Sequence, residues 1–79
     1  MRRGAIEHVE KLVEAAATRY GHDRNARAAL TTFDAAVAAL RSLPAAPGSR
    51  IDLARQRVID ASIEYRAQVL AGRNPAQET

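Results

Sequence analysis

The side chains able to act as nucleophile, base or metal ligand are few: His8, His22, nine carboxylates and several hydroxyls, with no cysteine. Without a thiol there is no cysteine nucleophile, no thiolate metal site and no disulfide. His8 falls on the polar side of its segment and His22 in the turn after Gly21, and no Ser-His-Asp ordering surrounds either. Helical di-metal sites use Glu-x-x-His spacing, whereas here Glu7 adjoins His8 and nothing stands at the required offset. Pro47-Gly48-Ser49 is too short to cradle a phosphate. Every Asp and Glu within the helical segments can sit outside an apolar stripe, so no inward-facing carboxylate pair is expected. The expectation is a protein that is not an enzyme and has no cofactor or metal.

Arginine is the more promising chemistry. Eleven arginines and one lysine stand against nine acids, for a net charge of +3 and a pI near 10.2. A preference for Arg over Lys beside so much alanine is also what a GC-rich genome produces. If the chain is an up-down-up bundle, one end collects Arg2, Arg3, Arg41, Arg50, Arg55 and Arg57 against Glu7 and Asp52. Such a patch could contact phosphates, with strongly salt-dependent binding. Against that, the second break in the chain is longer than a helix-turn-helix turn and rich in proline. No exposed aromatic is expected for base stacking, and the other arginines are interleaved with acids. Nucleic-acid binding is therefore the alternative reading.

These groups must be positioned by helices. Ile6, Val9, Val13, Ala16 and Tyr20 recur at spacings of 3, 4, 3 and 4, predicting one face of a helix over about 4–20. Gly21 stands where a left-handed C-terminal cap is expected. A second stripe, Ala26, Ala29, Leu30, Phe33, Ala36, Val37, Leu40 and Leu43, predicts a helix over about 24–43, capped by Asp23 or Asn25 and ended by Pro44. Ser49 caps a third helix over about 50–71, with Asp52 as a weak capping box. Gly72 and Pro75 stop it, and residues 72–79 read as a polar, frayed tail. There is no β-alternation and no internal repeat. The expected fold is all-α: a single small three-helix up-down-up bundle over 1–79.

The third segment carries more apolar surface than the others. Ile51, Ala54, Val58, Ala61, Tyr65 and Val69 form one stripe; Ile59, Ile63 and Leu70 form a second, about 100° away. Arg55 and Arg66 lie between them. Helices one and two could each take one stripe. Alternatively Ile59, Ile63 and Leu70 face another chain, with Arg55 and Arg66 at the rim, and these five are the expected partner-binding residues. Glu7, Glu10 and Glu14, along one edge of the first stripe, are candidate partners for the two arginines within the bundle or across a dimer.

Composition points the same way. Hydrophobic residues make up 47%, but 18 of the 79 residues are alanine, and only Phe33, Tyr20 and Tyr65 are aromatic. A core so short of large side chains supplies little net stability, so homodimerisation is expected to complete the bundle. No window approaches the ~20 apolar residues of a membrane span. Met1-Arg2-Arg3-Gly4 begins like a signal peptide, but Glu7, His8, Glu10, Lys11 and Glu14 interrupt any apolar core. A cytoplasmic setting in a bacterium or its phage is expected. The functional expectation is a small protein-interaction protein: a regulator, adaptor or inhibitor of a larger complex, of the size seen among phage and mobile-element inhibitors such as anti-CRISPR proteins. Its expected partners are itself and another protein, with no membrane.

Overall fold

The computed structural model of the chain describes residues 3–75, with side chains from residue 4 onward. The chain forms three helices, α1 (Arg3–Asp23), α2 (Ala26–Arg41) and α3 (Arg50–Leu70); 81% of the described residues are helical, and there is no strand among them. Pairs across the bundle fix its direction. Phe33 and Tyr65 meet with ring centroids 5.8 Å apart, Asp34 pairs with Arg66, and the Leu43 carbonyl accepts from Arg55, so α2 runs antiparallel to α3. Gly21 meets Asn74, which places the ends of α1 and α3 together, so the two run parallel. The arrangement is up-down-up.

The first two stripes bury as spaced. Ile6, Val13, Ala17 and Tyr20 of α1 close on Ala29, Phe33, Ala36 and Leu40 of α2, and Val58, Ile59 and Val69 of α3 complete the core. Phe33 and Leu40 are fully enclosed, and each supplies about 2–3 kcal/mol by leaving water. Ser62, which neither stripe of the third segment contains, is fully buried in the middle of the α3 contact arc. Its hydroxyl donates to the Val58 carbonyl of its own helix at 2.8 Å, so the polar group enters the core already satisfied.

The junction after α1 is not where Gly21 suggests. The helix continues to Asp23, and the left-handed residue is Arg24, at φ 54°. Its N–H donates to the Tyr20 carbonyl at 2.9 Å, and its guanidinium lies over the Tyr20 ring, 5.4 Å from the centroid. Gly21 has a different neighbour: a β-carbon there would sit 2.7 Å from Asn74 Oδ1, so that side chain would have to turn aside. Of the two candidate caps for α2, Asn25 serves, accepting from the Ala28 amide at 3.0 Å, while Asp23 accepts from the Asn25 amide at 2.9 Å.

Helix α2 stops at Arg41, two residues earlier than its stripe implies. Ser42 turns its N–H onto Ala38 and Ala39, and the residue before Pro44 is steered away from helical angles. Ser49 caps α3 by accepting from the Asp52 amide at 3.2 Å. In return Asp52 accepts from Gly48, one residue outside the cap, at 2.9 Å. At the far end Gly72, at φ 76°, donates to Val69 while Arg73 donates to Gln68, a Schellman closure. Through Pro75 the chain then folds back on the bundle. Pro75 is buried, Asn74 lies against Gly21, and Arg24 donates to the Gly72 carbonyl at 3.4 Å. Residues 76–79 of the expected tail lie outside the described residues.

Candidate functional site

The two-stripe reading of α3 divides along its second stripe. Ile59 is only 3% exposed and belongs to the core, whereas Ile63 and Leu70 are 47% and 61% exposed. Viewed down the helix at about 100° per residue, Ile59 marks the edge of the buried arc and the other two lie just past it. Ile63 and Arg66 line a groove of ≈ 310 Å³ between α2 and α3, together with Val37, Ala38 and Arg41. This groove is what remains of the expected interface.

The arginines expected at its rim are already engaged inside the chain. Arg66 Nε lies 3.1 Å from Asp34 Oδ1, an exposed pair between α3 and α2. Arg55 is three-quarters or more enclosed, pairs with Asp52 at 3.1 Å and donates to the Leu43 carbonyl, so it ties the α2–α3 connection to the first turns of α3. Glu7, Glu10 and Glu14 pair with neither; the acids that do are Asp34 and Asp52. The reason is reach. On α1, Leu12, Ala15 and Ala16 line the groove toward α2, which puts the glutamates on the far side of that helix, away from Arg66.

Two carboxylates are perturbed. The Gly48 amide, helped by Arg55, holds the Asp52 carboxyl below its ordinary value, against a smaller opposing desolvation. The Asn25 amide, helped by Arg19 at 3.1 Å, does the same for Asp23. Both groups sit at helix junctions and serve as braces there. His8 and His22 are exposed, and no group of three or more histidines and acids among the described residues could hold a metal ion.

The arginine-rich end is reduced as well as real. The up-down-up path does bring Arg41, Arg50 and Arg57 to one end of the bundle, exposed and without an ion pair among the described residues. Arg55 is spent in the connection, and Arg2 and the side chain of Arg3 lie outside the described residues. What the sequence reading missed is Leu53. It is 63% exposed and stands between Arg50 and Arg57 over a depression of ≈ 730 Å³ that Ile51 and Ala54 also line. The signal was available: Arg50, Leu53 and Arg57 recur at 3, 4 and 7, outside both apolar stripes. Arg50 also occupies the first position of α3, where it adds to the positive end of the helix.

No helix among the described residues is long and apolar enough to cross a membrane. Comparison with protein-family models, curated proteins and solved structures gives no match.

Proposed function

We propose that this chain is a non-enzymatic helical protein-interaction protein, a regulator, adaptor or inhibitor of a larger complex, that works as a homodimer. One observation carries the reading: α3 closes the core with one face, yet presents Ile63 and Leu70 to solvent on one side and Leu53 on the other. Large aliphatic side chains left outside an otherwise closed small bundle favour a protein surface over water. The test is the pair Ile63→Asp and Leu70→Asp in one chain. Its helix content by circular dichroism should match the parent, while a protein retained by the immobilised parent should be lost. Retention of every bound protein by a folded double variant overturns the reading.

A second reading is favoured by Arg41, Arg50 and Arg57, exposed at one end and without an ion pair among the described residues. If that end binds nucleic acid, a duplex should shift in a gel at low salt and lose affinity by orders of magnitude at physiological salt. A low-salt shift that weakens steeply as salt is raised and disappears on replacing the three arginines selects this reading over the first.

A further inference from the structure

The first two turns of α3 hold cationic and aliphatic side chains on one exposed patch. Arg50, Leu53 and Arg57 recur at spacings of 3 and 4, on the edge of the helix away from the α2–α3 groove that Ile63 and Arg66 line. Leu53 is exposed between the two arginines, and Ile51 and Ala54 line the depression beside it. The neighbouring acids are committed elsewhere. Asp52 accepts from the Gly48 amide and pairs with Arg55, and Asp60 accepts from the Gln56 side-chain amide. Glu7, at the same end of the bundle, makes no ion pair among the described residues, and neither do Arg50, Arg57 or Arg41. The amides of the first turn of α3 add to the positive potential there.

We propose that Arg50, Leu53 and Arg57 receive an acidic segment of a partner protein in which one large apolar side chain stands between two carboxylates, an inference that rests on the protein-interaction reading above and names the partner's chemistry. Charge sets the sign of the occupant, and Leu53 sets its class. Anything that reaches both guanidinium groups must pass over Leu53, and that contact is favourable only where the occupant brings apolar surface to it. A phosphate backbone brings none. Base stacking has no platform here either, because Tyr20 and Phe33 are buried and Tyr65 packs on Phe33. Arginine suits a carboxylate partner: its planar fork pairs with both oxygens, while its methylenes extend the apolar surface around Leu53. Arg50 and Arg57 lie two turns apart, about 10.5 Å along α3. A partner helix with acids seven positions apart and a leucine midway between them repeats at the same interval and can lie alongside. The net charge of +3 also draws an acidic partner during approach.

The experiment is fluorescence anisotropy on the full chain, with helix content of each variant checked by circular dichroism. The probe is a labelled helix-forming peptide with glutamates seven positions apart and a leucine midway between them. One control peptide replaces the leucine by alanine, a second replaces the glutamates by glutamine, and a DNA duplex is the competing anion. The parent should bind the probe about tenfold more tightly than the alanine control and severalfold more tightly than the glutamine control. Arg50→Glu with Arg57→Glu should weaken binding of the probe at least about tenfold, by removing two pairs and adding repulsion. Leu53→Ala should erase the preference for leucine over alanine while the glutamates are still preferred to glutamine. Ile63→Asp with Leu70→Asp, on the other edge of α3, should bind the probe as the parent does. Equal binding of the leucine and alanine peptides overturns the proposal, because the patch is then a bare cationic surface. A duplex that binds more tightly than the probe, needs both arginines and is indifferent to Leu53→Ala overturns it in favour of nucleic acid. A parent that does not bind the probe also overturns it, and leaves capture through Ile63 and Leu70 to decide the broader reading separately.

Discussion

The Asn74 side chain lies so close to Gly21 that a β-carbon at residue 21 would sit 2.7 Å from its Oδ1. Gly21 is inside α1, where replacing glycine by alanine ordinarily stabilises by about 0.5–1 kcal/mol. Here the methyl group must first displace the Asn74 carboxamide, the far end of a side chain that can turn aside without moving the backbone. Gly21→Ala is therefore expected to gain less than that, while in an Asn74→Ala background the full gain of about 0.5–1 kcal/mol should appear. Urea unfolding of the four chains measures this. The same gain in both backgrounds would show that Asn74 does not constrain Gly21.

Arg55 is a second place where a residue first read as interface is a brace. Its guanidinium spans two acceptors, the Asp52 carboxylate and the Leu43 carbonyl, in a largely enclosed setting. Arg55→Ala should cost about 1.5–3 kcal/mol, the range of hydrogen bonds made by a charged group. Arg55→Lys should recover little, because a single ammonium cannot reproduce the planar fork. Full stability in the lysine variant, read from the urea midpoint, would mean that charge alone matters there.

The elements were legible because their signals are local. The 3–4 spacing from Ile6 to Tyr20, the Phe33–Leu40 stripe, Ser49 as a cap and the Pro44–Gly48 break are written in neighbouring residues, and each reappears in the fold. What the sequence did not carry is which side of a wide apolar arc another helix reaches. Ile59, Ile63 and Leu70 look equivalent by periodicity, yet only Ile59 lies within reach of the core. Gly21 was misplaced for a similar reason: its close neighbour is the Asn74 side chain, 53 positions away, and it does not cap its own helix end. The candidate partners of Arg55 and Arg66 were chosen by charge and register on α1, but the connection and α2 offered acids at shorter range.

Acid should loosen the two junctions. Unfolded, Asp23 and Asp52 return to an ordinary value of 3.8; folded, both lie lower, so the native state binds fewer protons in the interval between. Their contribution is fully present above that ordinary value, declines as the pH falls through 3.8, and is gone below the lowered folded values. Asp52→Asn should be less stable than the parent at pH 7, and the difference should close as the pH falls below 3.8. Thermal melts from pH 7 to pH 2 give the comparison, and a difference that stays constant throughout would remove Asp52 from the acid response.

The division of α3 gives the sharpest contrast between neighbouring residues. Ile59→Asp places a carboxylate among Val58, Phe33 and the other core residues with nothing to pair it, at a cost of several kcal/mol. A core of this size rarely supplies more than about 3–5 kcal/mol, so the variant should be unfolded. Ile63→Asp, four residues on, leaves the new carboxylate in water at the mouth of the α2–α3 groove, with Arg66 and Arg41 lining the same groove. Its cost should stay below about 1 kcal/mol, within the range of exposed substitutions that lose some apolar contact. Circular dichroism and urea unfolding of the two variants read the difference directly. Unfolding of Ile63→Asp would show that Ile63 holds the core and return the whole second stripe to the interior of the bundle.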